Sequence, residues 1–170
     1  MPDATPGNGF AAIALGSNLP SRFGAPADNL QEAIRRLAAL GRVAAISSFR
    51  STAPVGFVNQ PDFTNAAVLL ETSVAPEPLL YALLKIEAAM GRVRAGAPTK
   101  GPRIIDLDLL LYGFCVLESP ALTLPHPAMA QRAFVLEPLA EIAPTLVHPV
   151  LNLTIAELFR QLSSRVGVGS

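Results

Sequence analysis

Two aspartates stand one residue apart in an apolar, branched stretch, Asp106-Leu-Asp108. The stretch is too short for a typical helix and ends at Gly113, which predicts a β-strand. Residues two apart on a strand share a face, so the two carboxylates should lie side by side. Like charges at that distance are unfavourable without a cation, and carboxylates with no soft ligand nearby suit a hard ion such as Mg²⁺. The opposite face of the strand is predicted to be apolar and consists of Leu107, Leu109 and Leu111.

A basic segment rich in glycine and proline, residues 92–103, runs straight into this strand. Arginines neutralise phosphate oxygens with forked hydrogen bonds, and Mg²⁺ bridges such oxygens. Phosphoryl-type transfer depends mostly on positioning and charge stabilisation, so an acidic pair beside a basic segment favours a phosphate-transferring enzyme. The sequence contains no Gly-x-x-x-x-Gly-Lys-Ser/Thr motif, which excludes the P-loop class.

Each of these features also has an ordinary explanation. An isolated Asp-x-Asp pattern is weak evidence for a metal site, and only the strand setting and the basic segment strengthen it. Arg92 and Arg94 are compatible with surface charge after a helix end, where cations are favourable. His126 stands between two prolines and could be a turn residue, and Asn65 could be a buried amide satisfied by backbone groups.

The composition limits the class of protein. Of 170 residues, 51% are hydrophobic and 15% are charged, which indicates one globular domain, predicted over residues 10–162 between loose tails at 1–9 and 163–170. Basic and acidic residues balance at 13 of each class, which argues against a general nucleic-acid binder. The single cysteine, Cys115, excludes an internal disulfide and favours a cytoplasmic setting. No apolar run reaches membrane-spanning length, so no membrane partner is expected.

The hydrophobic periodicity predicts the order β-α-β-β-α-β, followed by a short strand and two helices. This order favours an α+β fold, a single-domain sandwich in which a ferredoxin-like antiparallel sheet packs with helices on one face and leaves the other partly free. The predicted elements are Phe10–Leu15, a helix capped by Asp28 or Asn29 and ending near Leu40, Val43–Phe49, Phe63–Glu71, Pro76–Met90, the aspartate strand, Val116–Glu118 pairing back across Gly113, Ala133–Ile142 and Thr154–Leu162.

Taken in order, several blocks of the chain resemble the 6-hydroxymethyl-7,8-dihydropterin pyrophosphokinase family of folate biosynthesis. The resemblance covers Ala12 to about Leu162, and its most specific part is Gly-Pro-Arg-x-x-Asp-Leu-Asp. The blocks are Ala14-Leu-Gly-Ser-Asn18, Ser48-Phe-Arg-Ser-Thr52, Gln60-Pro-Asp-Phe-Thr-Asn-Ala-Ala67, Glu87-Ala-Ala-Met-Gly-Arg-Val-Arg94, Gly101-Pro-Arg-Ile-Ile-Asp-Leu-Asp108, and Leu124-Pro-His126 with Arg132 and Phe134 behind it.

The resemblance implies transfer of a pyrophosphoryl group from ATP to the hydroxymethyl oxygen of the pterin, with release of AMP. Asp106 and Asp108 would hold two Mg²⁺ ions and would act in catalysis together with Arg92 and Arg103. The residues implied for ATP are Arg92, Arg94, Lys100, Arg103, His126 and Arg132, with the backbone near Leu109 and Thr123 at the adenine. The residues implied for the pterin are Asn65 as hydrogen-bond partner, Phe63 and Phe134 stacking on its two faces, and the backbone around Thr52 and Val55.

The chain departs from the family pattern in a few places. Thr99-Lys100 stands where an arginine–tryptophan or similar pair is common, Pro127 stands where an aromatic is often found, and the ring at position 63 is Phe rather than Tyr. These departures leave the reaction class intact. Two alternatives stay open, namely a nucleotide-binding ferredoxin-like module without catalysis and another Mg²⁺-dependent phosphate enzyme. A monomer is the expected oligomeric state.

Overall fold

The computed structural model describes residues 9–54, 59–92 and 102–168. Within these ranges the chain forms a sheet, a small hairpin and four α-helices. The elements are β1 (Phe10–Ser17), α1 (Pro26–Leu37), β2 (Arg42–Ile46), β3 (Arg50–Thr52), β4 (Phe63–Glu71), α2 (Pro76–Ala89), β5 (Asp106–Tyr112), β6 (Leu117–Glu118), β7 (Thr123–Leu124), a 3₁₀ turn (Met129–Gln131), α3 (Ala133–Ile142) and α4 (Ile155–Val168). None of the described helices combines the length and apolar character needed to cross a bilayer.

The main sheet is antiparallel, with the strand order β2-β4-β1-β5, and β3 pairs with β4 beyond the end of β2. Strand β1 therefore lies between β4 and β5. Helix α1 connects β1 to β2 at the far edge of the sheet, and α2 connects β4 to β5. This is the split β-α-β arrangement, and it confirms the predicted ferredoxin-like α+β fold.

Helices cover both faces of the sheet. One core, which includes Ile13 and Leu30, lies between the sheet and α1 with α2. The second core, which includes Leu69 and Leu136, lies between the sheet and α3 with α4. The prediction that helices pack on one face only is wrong, because Phe10–Leu15 is apolar at every position and both of its faces must be covered.

A β-bulge interrupts the predicted apolar face of β5. Ile13 pairs with Leu109, whereas the preceding Ala12 pairs with Leu111, so Leu110 is the extra residue on β5. The bulge turns Leu111 toward α3 and α4, while Leu109 stays on the side of α1 and α2. The prediction that the three leucines share one face fails for Leu111, because one inserted residue reverses the alternation.

The start of α1 also differs from the prediction, since the helix begins at Pro26 rather than after Asp28 or Asn29. The carboxylate of Asp28 accepts a hydrogen bond from the backbone N–H of Ala25 at 2.8 Å and so caps the helix from inside its first turn. The amide of Asn29 is buried and donates to the carbonyl of Ile104, which links α1 to the segment before β5.

Two helix ends lie elsewhere than predicted. Helix α1 ends at Leu37 rather than near Leu40, and α4 continues to Val168 rather than ending at Leu162. Most of the predicted tail at 163–170 is therefore helical. Helix α4 can continue because no proline or glycine interrupts it before position 167.

Strand pairing differs at three places. Strand β1 continues through Gly16 and Ser17, two residues beyond the predicted end at Leu15. The predicted strand Val43–Phe49 ends early, because β2 stops at Ile46, and a separate strand, β3, begins only at Arg50. The two strands pair with different halves of β4. The predicted strand Val116–Glu118 does not pair back across Gly113; β6 pairs with β7, because the outer edge of β5 is bonded by the segment that follows β7.

Candidate active site

The sheet places an amide and two carboxylates on either side of β1. Gly16 pairs with Asn65 of β4 on one side and with Asp106 of β5 on the other. Ala14 lies two residues back and pairs with Asp108. Since neighbouring strands lie about 4.8 Å apart, Asn65 and Asp106 are separated by about 10 Å across the sheet. The small residues of β1 thus form a floor between the amide and the carboxylates.

Gly16 leaves room for the amide of Asn65, because a side chain at this position would press on it. A Cβ atom at this position would lie 3.1 Å from Oδ1 of Asn65 and 3.8 Å from Cδ1 of Phe63. A larger residue would displace the amide. The predicted strand ended at Leu15, so this role of Gly16 was missed, and it becomes visible only when β4 is known to lie beside β1.

A cavity of about 360 Å³ lies above this floor, between the sheet and the start of α3. Two aromatic rings contribute to its lining, Phe63 from the sheet and Phe134 from the helix. A cavity with two ring faces suits a flat heterocycle. The cavity brings together the following predicted site residues: Thr52, Phe63, Asn65, Arg103, Asp106, Asp108, Arg132 and Phe134.

Each aromatic ring of the cavity is approached by an arginine. The guanidinium carbon of Arg103 lies 5.5 Å from the centre of the Phe63 ring. The guanidinium carbon of Arg132 lies 5.7 Å from the centre of the Phe134 ring. Cation–π attraction at these distances holds the guanidinium groups at the rim of the cavity.

Asn65 has hydrogen-bonding capacity for a ligand. Its Nδ2 donates to Oγ1 of Thr52 on the adjacent β3. An amide carries two N–H donors and one carbonyl acceptor, so this bond orients the group and leaves a donor and an acceptor available. The role of Asn65 as a hydrogen-bond partner of a heterocycle stays a prediction. The prediction for Thr52 concerned only its backbone, whereas the structure shows that its side chain orients the amide.

Asp106 is neutralised by two arginines. Its Oδ1 lies 2.7 Å from Nη1 of Arg92, and its Oδ2 lies 3.3 Å from Nη1 of Arg103. The basic segment predicted to precede the aspartate strand therefore contacts it from both ends. The two arginines are held within reach of any phosphate that approaches the carboxylates.

Asp108 has a different environment. Within the described residues, its carboxylate makes no hydrogen bond and no salt bridge. Burial, together with the neighbouring charges of Asp106 and Glu87, raises the pKa of Asp108 to about 7, although Arg132 and Arg92 act in the opposite direction. Of the two aspartates, Asp108 is thus the one whose negative charge is less satisfied by the described residues.

The aspartate pair fits a magnesium ion that takes only some of its ligands from the protein and the others from a substrate and from water. Among the residues that the structure describes, no group of three or more His, Cys, Asp or Glu side chains converges on one point. Mg²⁺ is commonly held by one or two carboxylates together with waters and substrate phosphates, rather than by a complete protein cage. A cation bound by the two carboxylates would offset the mutual repulsion that contributes to the raised pKa of Asp108.

Glu87 is a site residue for which sequence analysis assigned no role. It is 1% exposed on α2, and its Oε2 accepts from Nη1 of Arg92 at 2.8 Å and from the backbone N–H of Leu107 at 2.7 Å. Glu87 therefore holds the arginine and satisfies a donor on the edge strand β5. A signal existed, because Glu87 follows Leu79 and Leu83 at helical spacing, where a core leucine would be expected.

Replacement of Glu87 by glutamine is expected to lower kcat about tenfold. The amide can still accept from the N–H of Leu107, but it no longer attracts Arg92, which is left to Asp106 alone. Steady-state kinetics and a thermal melt would test this, with Glu77→Gln in the exposed first turn of α2 as the control. Unchanged kcat in the Glu87 variant would show that Asp106 is sufficient to hold Arg92.

His126 presents one donor in its neutral form. Its Nδ1 accepts from the backbone N–H of Ala128 at 3.2 Å, so Nε2 carries the proton when the ring is uncharged. Burial lowers the pKa of His126, and the charge of nearby Arg132 lowers it further. The imidazole is therefore a neutral donor near pH 7, suited to a phosphate oxygen.

The residues predicted to contact adenine lie apart from the cavity. Leu109 belongs to β5 and Thr123 to β7, and neither lines the cavity described above. The backbone N–H of His126 donates to the carbonyl of Leu110, so the segment after β7 runs along the outer edge of β5. Val55, Arg94 and Lys100, together with the departure at Thr99-Lys100, lie outside the described residues.

Arginines held on a carboxylate, beside a cavity walled by aromatic rings, suit an enzyme that transfers phosphate groups to a flat organic acceptor. Comparison with known families is more specific. Residues 12–144 match the family model described as 7,8-dihydro-6-hydroxymethylpterin-pyrophosphokinase (HPPK). The chain belongs to this family, which confirms the resemblance found in the sequence.

Relatives support the same assignment. The chain is 44% identical over 154 residues to the 2-amino-4-hydroxy-6-hydroxymethyldihydropteridine pyrophosphokinase of Synechocystis sp., covering 89% of this chain and 75% of that protein. It is 41% identical over 155 residues to the enzyme of the same name from Haemophilus influenzae, covering 90% and 92%. It is also 42% identical over 151 residues to the folic acid synthesis protein fol1 of Pneumocystis carinii. That match covers 88% of this chain, but the chain spans only 20% of the length of the relative.

Solved structures share the fold. The crystal structure of wild-type Plasmodium falciparum HPPK-DHPS with pteroate superposes with a TM-score of 0.71 at 17% identity, and covers 92% of this chain and 44% of that one. At this identity the match supports the fold alone.

Proposed function

We propose that this protein is a 2-amino-4-hydroxy-6-hydroxymethyldihydropteridine diphosphokinase of folate biosynthesis. It transfers the pyrophosphoryl group of ATP to the hydroxymethyl oxygen of 6-hydroxymethyl-7,8-dihydropterin and releases AMP. The observation that carries the proposal is the row formed by Asn65, Gly16 and Asp106 across three strands. The backbones of Asn65 and Asp106 lie about 10 Å apart, and this spacing suits a two-ring heterocycle with a one-carbon arm.

In this proposal the pterin lies in the cavity with its polar edge toward Asn65. Phe63 and Phe134 contact its two faces, and Thr52 keeps the amide in the orientation that pairs with the heterocycle. The hydroxymethyl group then points toward β5, where the aspartates lie. Flat stacking excludes water from the ring faces and limits the rotation of the substrate.

The triphosphate lies against the basic side of the site. The hydroxymethyl oxygen attacks the β-phosphorus of ATP, the bond from that phosphorus to the α–β bridging oxygen breaks, and the hydroxyl proton leaves to solvent. Arg92 and Arg103 stabilise the charge that develops on the transferred group, with His126 and Arg132 as further donors. We propose that Asp106 and Asp108 hold two Mg²⁺ ions, which when bound would supply positive charge to the phosphates and would polarise the attacking hydroxyl.

The direct test is to incubate the protein with ATP, Mg²⁺ and 6-hydroxymethyl-7,8-dihydropterin and to measure AMP by chromatography. AMP and a pterin pyrophosphate are expected in equal amounts, and 6-methyl-7,8-dihydropterin, which lacks the acceptor oxygen, should yield neither. Binding of ATP without AMP release would favour the nucleotide-binding module. Release of AMP that does not depend on the pterin would favour another Mg²⁺-dependent phosphate enzyme.

We further propose that the chain acts as a monomer in the cytoplasm on these two small substrates, without a nucleic-acid or membrane partner. The balanced charge and the single cysteine support this proposal. Size-exclusion chromatography with light scattering tests the monomer, for which one species near 17.8 kDa is expected.

A further inference from the structure

A buried amide, Asn18, connects two segments that border the cavity. It follows β1 directly and is 1% exposed. Its Nδ2 donates to Oε1 of Gln60 at 2.8 Å and to the carbonyl of Pro61 at 2.9 Å. Its Oδ1 accepts from the backbone N–H of Arg103 at 2.9 Å, and its own backbone N–H donates to the carbonyl of Arg103 at 3.1 Å. Both N–H groups and the carbonyl of the side chain are therefore used.

The two connected segments carry residues with different roles. Residues 59–62 lead directly into Phe63, a ring wall of the cavity. Residues 102–105 lead into β5 and contain Arg103, whose guanidinium contacts both the Asp106 carboxylate and the Phe63 ring. A single side chain thus determines how the ring wall and the arginine sit relative to each other.

No smaller or charged side chain can make this connection. A primary amide has two donors and one acceptor, which this position requires, whereas aspartate would turn acceptors toward Gln60 and the carbonyl of Pro61. Leaving one of these buried groups unpaired costs the desolvation of that group without compensation. Ordinary packing alone would not require donors toward one segment and an acceptor toward the other.

We propose that Asn18 is a positioning residue, which joins segments 59–62 and 102–105 so that Arg103 and Phe63 are aligned for the same substrate pair. Asn18 need not touch either substrate for this purpose. The inference rests on the proposed function for its kinetic consequences, but the physical connection between the two segments can be measured without turnover.

Three variants test the kinetic part. Asn18→Ala is expected to lower kcat at least tenfold and to raise KM for the pterin. Gln60→Ala should also lower kcat and raise KM, but by a smaller factor than Asn18→Ala. The kinetic constants of the double variant should lie within a factor of two of those of Asn18→Ala, because both changes remove the same connection. The control is Thr72→Ala, a buried hydroxyl at the opposite end of β4 that bonds the carbonyl of Leu40 at 2.7 Å.

Thr72→Ala should lower Tm as Asn18→Ala does, but leave kcat and KM within twofold of the unaltered protein. If Asn18→Ala lowers Tm without changing kcat or KM, or if the losses of the two single variants multiply in the double variant, the proposal is wrong.

Amide hydrogen exchange tests the connection independently of activity. In Asn18→Ala, peptides covering 59–62 and 102–105 should both exchange at least tenfold faster, while in Thr72→Ala they should exchange as in the unaltered protein. If the unaltered protein releases no AMP, the proposed function fails, and the exchange result still decides whether Asn18 joins the segments. Faster exchange in only one of the two segments would overturn the proposal.

Discussion

Replacement of Asp108 by asparagine is expected to abolish turnover and, at the same time, to stabilise the metal-free protein at pH 8. Loss of a group that stabilises transition-state charge typically costs about 10²–10³ in kcat, and a metal ligand is at the upper end of that range or beyond it. The stabilisation follows because Asp108 carries a buried charge that the described protein groups do not pair.

The direction of the pH dependence follows from the raised pKa of Asp108. Its pKa is about 7 in the folded protein, against an ordinary value of 3.8. Between these values the folded state binds more protons than the unfolded state, so the contribution of Asp108 to stability falls as the pH rises from about 4 to about 7. A shift of this size corresponds to at most about 4 kcal/mol. Asp108→Asn should therefore raise Tm at pH 8 by about 5 °C, and by much less at pH 4.

Asp106→Asn is the matched control, because it makes the same chemical change on the same face of β5. It should abolish turnover as well, but it should lower Tm, because Arg92 and Arg103 each lose their salt bridge to the Asp106 carboxylate. Melts without metal at pH 4 and 8, together with AMP assays, measure both effects. Near-normal turnover in either variant would contradict the metal assignment, and an unchanged Tm in Asp108→Asn at pH 8 would contradict the electrostatic argument.

Replacement of Arg92 by alanine is the second large effect, and it should appear mainly in kcat. Charge builds up on the transferred pyrophosphoryl group as the reaction proceeds, so a guanidinium beside the carboxylates contributes more to the transition state than to bound ATP. A decrease of about 10²–10³ in kcat is expected, with KM for ATP changed by about threefold or less.

Arg92→Lys separates charge from geometry. Arg92 bonds both Glu87 and Asp106 through Nη1 and carries further N–H donors on the same planar group. A lysine keeps the positive charge but has only one nitrogen, so it should recover only part of the lost rate. Arg22→Ala, which removes an arginine whose Nη2 bonds the carbonyl of Ala89 at the end of α2, is the control and should turn over normally. A changed affinity for ATP with an unaltered single-turnover rate would assign Arg92 to ground-state binding instead.

The sequence was sufficient for the fold class and for the placement of two aspartates on one face of a strand. Periodicity and the order of elements predicted the ferredoxin-like sheet, because each amphipathic segment carries its own pattern of burial. The spacing of Asp106 and Asp108 predicted two carboxylates on one face, since the strand period of two is a local property. The family resemblance then added residues that no local pattern indicates, such as Asn65 and Phe134.

Only the tertiary structure decided which side chains meet. The second helical layer and the bulge at Leu110 depend on which elements pack against the sheet. The sequence of a single segment does not indicate its packing partners. Gly16 faces Asn65, Glu87 reaches Arg92, and Asn18 joins two segments that lie far apart in the chain. Each of these contacts links separate elements of the chain. The hydrogen bonds and the close packing that favour these residue types therefore exist only in the folded protein.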